Sequence, residues 1–150
     1  MRIVITGGAG FLGRRLARAL LARGRLTDRT GTPRDISEIV LVDIAAGAPL
    51  DDRRAVSVAG DLGDASLVER VFAAPVDSVF HLAAVVSGEA EQDFDLGWRV
   101  NVDATRLWLE ACRRLASPPK LVFTSSVAVF GGALPDVLPD DQQLTPVGYE

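Results

Sequence analysis

The sequence predicts an α/β domain, a doubly wound parallel sheet with helices on both faces. Three observations lead there. Short apolar runs recur, mostly continuous and not alternating, as expected of strands covered on both sides. Amphipathic helical stretches lie between them. A glycine-rich turn joins the first of these strands directly to the first helix. Strand, helix, strand is the rhythm throughout, and right-handed crossovers favour an open wound sheet over a barrel, which needs more units than 150 residues supply.

The first strand is read at 2–6 and the first helix at 11–23. Residues 24–37 are polar and charged and contain Gly31, Thr32 and Pro33, so they read as a surface excursion before the second strand at 39–43. An irregular link leads to a third strand at 55–59, a helix at 65–73 and a fourth strand at 78–82. The longest helical candidate, roughly 94–115, sets Val100, Ala104, Leu107 and Ala111 on one stripe. A fifth strand follows at 120–125, and 133–148, with Pro135, Pro139, Pro146 and several acids, has loop composition.

Bulk composition removes several classes of function. At 48% hydrophobic the chain has material for one sizeable core and is not a disordered segment. A net charge of -4 gives no basic footprint for nucleic acid. Cys112 is the only cysteine, so no internal disulfide or four-thiolate zinc site is possible; His81 is the only imidazole, and no metal is expected. Cys112 reads as a small buried helix residue. No basic region precedes a separate apolar segment and cleavage site, and no apolar run approaches the roughly 20 residues that span a bilayer. A soluble cytoplasmic protein is the expectation.

The chemistry starts in GGAGFLG, where Gly7, Gly10 and Gly13 form G-x-x-G-x-x-G between strand and helix. Such a turn brings backbone N–H groups and the positive end of a helix against a pyrophosphate: Gly7 for the turn, Gly10 for close approach, Gly13 for packing of helix on strand. Taken alone the glycines also fit a ligand-free strand–helix turn. Asp43 ends the second strand, where a carboxylate accepts from both ribose hydroxyls of an adenosine. A 2'-phosphate there would meet negative charge and no nearby arginine, which favours NAD over NADP; the alternative is a capping or solvated aspartate. Asp43 lies further from Gly7 than the usual interval of roughly 20 residues, and 24–37 accounts for the excess. After the third strand Asp61 and Leu62 are candidates to bind the adenine amine and cover the ring, or form a turn and cap. Ala83 and Ala84, past the fourth strand, leave room for a ribose or nicotinamide, while His81 before them reads as a satisfied core histidine.

Taken in order, these pieces resemble the extended short-chain dehydrogenase/reductase family, the NAD-dependent epimerases and dehydratases. TGGAGFLG is similar to its cofactor glycine motif, GDL to its adenine-side motif, HLAA to its fourth-strand motif, NVDAT to its asparagine-bearing helix motif, and FTSSVAVFG to its serine-bearing strand. Within it, HLAAVVSGEAEQDFDLGWRVN and SSVAVFGGALPDVLPDD resemble most the D-erythronate dehydrogenase branch. The resemblance implies a Rossmann-like fold and NAD as cofactor. It brings Phe11, Leu12 and Leu82 into the cofactor set through their motifs, gives Asn101 a bracing role near the active centre, and turns Thr124 and Ser126 toward the nicotinamide end; Ser125 is read as pointing away by strand alternation.

Family chemistry also needs a tyrosine that takes the proton from a substrate alcohol as hydride passes to NAD+, and a lysine four residues later that lowers its pKa. Tyr149, the only tyrosine, lies 23 residues beyond Ser126 and is the nominee. Lys120, the only lysine, starts the fifth strand, at the wrong end to assist it. The chain therefore reads as the N-terminal, incomplete NAD-binding domain of a longer protein, lacking the substrate-binding part and inactive alone. The complete protein is expected to oxidise D-erythronate or a similar acid sugar to the 2-keto acid and to form a homodimer through helices flanking the sheet. A nucleotide-sugar epimerase or dehydratase and a non-catalytic dinucleotide-binding module are the alternatives.

Overall fold

Along the first strand Ile3 and Ile5 face one way and Val4 the other, and the second long strand repeats the alternation with Ile39 and Leu41 against Val40 and Val42. All seven are almost or completely buried, so both faces of the sheet must be covered. In a computed structural model, which describes residues 1–146 and Ser87 by its backbone alone, they are. The strands are β1 (Arg2–Thr6), β2 (Arg25–Thr27), β3 (Pro33–Asp35), β4 (Glu38–Asp43), β5 (Ala55–Ala59), β6 (Ser78–His81) and β7 (Lys120–Phe123). Five of them form a parallel sheet in the order β5-β4-β1-β6-β7.

One face carries α1 (Phe11–Arg23), whose Ala17, Leu20 and Leu21 pack on Ile3, Ile5, Ile39 and Leu41. The other carries α2 (Ala65–Phe72) and α5 (Thr105–Arg114), with Leu67, Val68, Val71, Trp108 and Cys112 on Val4, Val40, Val42 and Val79. The doubly wound expectation holds. So does Cys112 as a buried helix residue, its thiol pushed up to about 11 by burial.

Three elements differ from the sequence reading. Residues 24–37 are not a plain excursion. Gly24 ends α1 in the left-handed region at φ 70, and β2 and β3 pair antiparallel around a turn in which Asp28 Oδ1 accepts from the Thr30 and Thr32 amides. The hairpin leads to buried Ile36, which returns the chain to the sheet. The helix read at 94–115 is broken into α4 (Phe94–Gly97), a π-helical segment Trp98–Ala104 and α5, and is preceded by α3 (Ser87–Gln92). Its buried stripe is Ala104, Trp108 and Cys112, with Leu107 and Ala111 at the margin. Trp108, 1% exposed, donates through Nε1 to the Leu62 carbonyl at 3.0 Å and packs edge-on against Phe72. An aromatic this large gathers apolar neighbours that a periodicity of small residues does not reveal. Finally, β6 and β7 end at His81 and Phe123, before the expected 82 and 125. Among the described residues no helix is long and apolar enough to cross a membrane.

Candidate functional site

The chain runs outward from β1 through β4 to β5, then crosses back to place β6 on the other flank of β1. At such a reversal the connections after the two neighbouring strands depart in opposite directions and leave a crevice at the carboxyl ends of the strands. A cleft of about 570 Å³ opens there, lined among others by Gly7, Gly10, Phe11, Leu12, Gly13, Asp43, Asp61, Leu62, Leu82, Ala83 and Ala84. Eleven candidates named from sequence thus meet on one surface.

The glycines act in different ways. Gly7 has φ +70, a left-handed turn, and a Cβ there would lie 3.0 Å from the Ala83 amide nitrogen. A Cβ on Gly13 would overlap the Gly7 carbonyl oxygen and stand 2.9 Å from Gly8 Cα, so helix and turn close directly on each other. Gly8, which the motif reading passed over, is also constrained: its Cβ would be 2.7 Å from Leu41 Cα. Gly10 is the N-cap of α1 with no side-chain capping bond, and no acid stands in the first turn. Among the described residues the leading amides of α1 therefore meet no capping carboxylate or hydroxyl at the cleft, and the helix dipole adds positive potential.

Asp43 braces the same turn. One carboxylate oxygen accepts from the Ala9 amide at 2.9 Å and the other from its own neighbour Ile44 at 2.8 Å. A carboxylate has about four acceptor directions, so two remain. An arginine does come to this end, against the sequence expectation: Arg14 reaches the segment after β4 beside Gly47 and Ala9, with its guanidinium donating to the Ala48 carbonyl. Asp61 accepts from the Gly63 amide at 2.8 Å and is ion-paired with Arg99, which also lines the cleft. The Gly63 amide and Arg99 hold the Asp61 carboxyl below its usual range, in that order of effect. Arg99 carried no signal in the sequence, because its partner lies 38 positions away on another element.

Asn101 sits inside the π-helical segment. Its amide accepts from the Val85 N–H at 2.8 Å and donates to the Val85 carbonyl at 2.9 Å, clamping the chain that leaves β6. It reaches the cleft wall through Val85 and is not itself a lining residue. His81 is buried and doubly bonded, to Thr6 Oγ1 through Nδ1 and to Thr105 Oγ1 through Nε2, both at 3.0 Å. That is the satisfied core histidine expected, and burial pushes its pKa down.

Two candidates are not brought to the cleft. Thr124 turns its hydroxyl back to the His81 carbonyl at 3.1 Å, and exposed Ser126 caps a short 3-10 turn, Val127–Val129, by accepting from the Ala128 amide. Because β7 stops at Phe123, strand alternation does not orient Ser125. Tyr149 lies outside the described residues.

A parallel sheet whose order reverses beside a glycine turn, with an uncapped helix start on one side and an acid at the end of the next strand, defines a dinucleotide-binding α/β domain. The chain belongs to the NAD dependent epimerase/dehydratase family, which it matches over residues 3–149; the cofactor is NAD. It is 53% identical over 146 residues to the D-erythronate dehydrogenase of Cupriavidus necator, covering 97% of this chain and 45% of that protein. It is 40% identical to the D-erythronate dehydrogenase of Haemophilus influenzae, with 97% and 44% covered. Among solved structures, a nucleoside-diphosphate-sugar epimerase from Agrobacterium tumefaciens superposes with a TM-score of 0.85 at 38% identity, covering 98% of this chain and 43% of that one. The chain spans less than half the length of these relatives.

Proposed function

We propose that the cleft seats NAD with its diphosphate against the first-turn amides of α1, the adenosine ribose at Asp43 and the adenine beside Asp61 and Leu62. The Leu82–Ala84 wall then takes the nicotinamide side. The observation that carries this is the α1 N-terminus, left without a side-chain cap at a cleft of about 570 Å³. Asp43 favours a free 2'-hydroxyl over a 2'-phosphate, since a carboxylate repels the latter. Arg14, which donates to the Ala48 carbonyl beside this end, keeps its positive charge and works against that preference, so titration with NADP+ weighs the two.

For the complete protein we propose NAD-dependent oxidation of a small acid sugar, D-erythronate or a similar four-carbon hydroxy acid, to the 2-keto acid. Bound NAD+ supplies the hydride acceptor. The residues of this chain grip and orient it, and Tyr149 is proposed to take the substrate hydroxyl proton, with Ser126 steadying the substrate oxygen once the rest of the protein is in place. Likeness to D-erythronate dehydrogenases at 53% and 40% identity supports the substrate class. Likeness to a nucleoside-diphosphate-sugar epimerase at 38% identity supports a second reading, interconversion of a nucleotide sugar. A homodimer is also proposed, on the exposed apolar residues Trp98, Val102 and Leu109 along the outer side of the helix after β6.

The test uses the whole protein. Calorimetry with NAD+ and NADP+ is expected to show binding of the first and much weaker binding of the second. NADH absorbance with D-erythronate is expected to rise; conversion of a nucleotide sugar with no net NADH would replace the dehydrogenase by the epimerase. No binding of either dinucleotide would end the cofactor reading.

A further inference from the structure

The amides of Leu82 and Ala83 sit just beyond the end of β6, where the sheet no longer supplies a partner, and both point to Thr6 Oγ1, at 3.2 and 3.3 Å. A threonine hydroxyl has two lone pairs and one proton. With both lone pairs given to these N–H groups, the proton goes to the remaining neighbour, His81 Nδ1 at 3.0 Å. Nδ1 must then be the acceptor nitrogen of a neutral ring, which leaves the ring proton on Nε2, donated to Thr105 Oγ1 at 3.0 Å. The protons of the Thr6 hydroxyl and of the imidazole are both assigned by this count.

We propose that His81, as the neutral Nε2–H tautomer, is a positioning residue for the cofactor: through Thr6 it holds the Leu82–Ala83 wall of the cleft against the glycine turn. The cofactor part of this rests on the NAD reading above; the tautomer does not. The fit between the parts is tight, since a Cβ on Gly7 would lie 3.0 Å from the Ala83 nitrogen that Thr6 anchors. The same wall is fastened two residues on, where Asn101 clamps Val85. Both fasteners come from the crossover between β6 and β7: Asn101 lies in its π-helical segment and Thr105 opens α5. His81 thus links the helical layer to the turn through the sheet. Phe123 stacks on the ring at 5.9 Å between centroids and Trp108 lies at 6.4 Å, so no solvent-borne partner competes for either nitrogen.

The test is nitrogen-15 NMR of the imidazole in the whole protein at neutral pH, with the His81 signals assigned by their loss in His81→Phe. An unprotonated Nδ1 and a protonated Nε2 are expected, unchanged when NAD+ is added. A protonated Nδ1, or a doubly protonated ring, would overturn the assignment. NAD+ titrations then test the role. His81→Gln, which offers one acceptor and one donor, is expected to keep affinity near wild type, while His81→Phe weakens it about tenfold by releasing Thr6 from its fixed orientation. Thr105→Val, near-isosteric and on a half-buried surface, serves if His81→Phe does not fold, and is expected to weaken affinity by a smaller factor. Equal affinity in His81→Phe or, failing that, in Thr105→Val would reject the positioning role. Absence of NAD+ binding by wild type would instead reject the cofactor reading and leave the tautomer result standing.

Discussion

Two helices begin at the same crest of the sheet and solve the same problem in opposite ways. Both α1 and α2 expose the first amides of a helix with no internal carbonyl to receive them. At α2 the chain closes the end itself: Asp64 is the N-cap, one carboxylate oxygen accepting from the Ser66 amide at 2.8 Å and the other from the Ser66 hydroxyl at 2.9 Å. At α1 the N-cap is Gly10, which has no side chain to offer. One end is finished within the fold, and the other is left open to the cleft. On the proposed NAD reading the α2 start serves stability and the α1 start serves recognition.

The largest way to break the comparison is to remove the α1 turn. Gly13→Ala drives a Cβ into the Gly7 carbonyl and to 2.9 Å from Gly8 Cα, backbone on both sides with nothing flexible to yield. A loss of about 3 kcal/mol or more is expected in urea unfolding of the whole protein. Gly88→Ala is the control, because a Cβ there meets open space inside α3 and helix propensity favours it by up to about 1 kcal/mol. Equal midpoints for the two variants would show that the turn is looser than its geometry.

A second substitution makes α1 resemble α2. Gly10 has φ -70 and ψ 171, an ordinary N-cap conformation that aspartate adopts readily. A Cβ there would stand 3.2 Å from the Gly7 carbonyl oxygen, a close contact that offsets the gain from capping the helix and meeting its dipole. Gly10→Asp is therefore expected to leave the melting temperature nearly unchanged and to weaken NAD+ binding by about 100-fold through charge repulsion at close range. Loss of affinity without loss of stability is the signature. A variant that bound NAD+ as well as wild type would mean that the diphosphate is held elsewhere.

The two ends were not equally legible in the sequence. Gly7, Gly10 and Gly13 announce the open end because a backbone that must approach a ligand or another backbone tolerates only hydrogen, and that demand leaves a pattern over a few positions. Asp43, Asp61 and the Leu82–Ala84 run could be placed because each ends or follows a strand, and parallel strands deliver their ends to one crest. Arg99 and Trp108 could not: the first matters by meeting Asp61 and the second by reaching Leu62, contacts made only when the crossover helix folds across the sheet. The break of that helix into a π segment was likewise hidden, since its local periodicity is nearly that of a continuous helix. Thr124 and Ser126 were expected at the nicotinamide end from the family resemblance; β7 stops at Phe123, and in this chain the Thr124 hydroxyl donates to the His81 carbonyl while the Ser126 hydroxyl accepts from the Ala128 amide. Gly8 was missed although it too has no room for a Cβ, because its neighbour is Leu41 on the adjacent strand and not the next turn of the motif.

Removing the α2 cap is a smaller change. Asp64→Ala strips the acceptor from the Ser66 amide and is expected to lower the melting temperature by about 2–4 °C, with NAD+ affinity unaltered. This separates the two helix starts from the side opposite to Gly10→Asp. If NAD+ affinity fell together with stability, the α2 start would be part of the cleft's recognition surface, and the division of labour between the ends would be wrong.

The finest distinction is in acid. The Ser66 amide, and then its hydroxyl, hold the Asp64 carboxyl below the ordinary 3.8, whereas the α1 start contains no titrating cap. A carboxyl whose folded pKa is lowered contributes its full stability above the unfolded value, because both states are then ionised; the contribution is lost as pH falls through the folded pKa. Asp64→Asn keeps an amide-oxygen cap that does not titrate. The difference in melting temperature between wild type and Asp64→Asn should therefore be constant above about pH 5 and shrink as pH drops below about 4. Because other carboxyls such as Asp61 titrate in both proteins, they cancel in the difference. A difference independent of pH down to the acid limit of folding would mean that the charge on Asp64, as distinct from its acceptor geometry, contributes nothing to closing the helix.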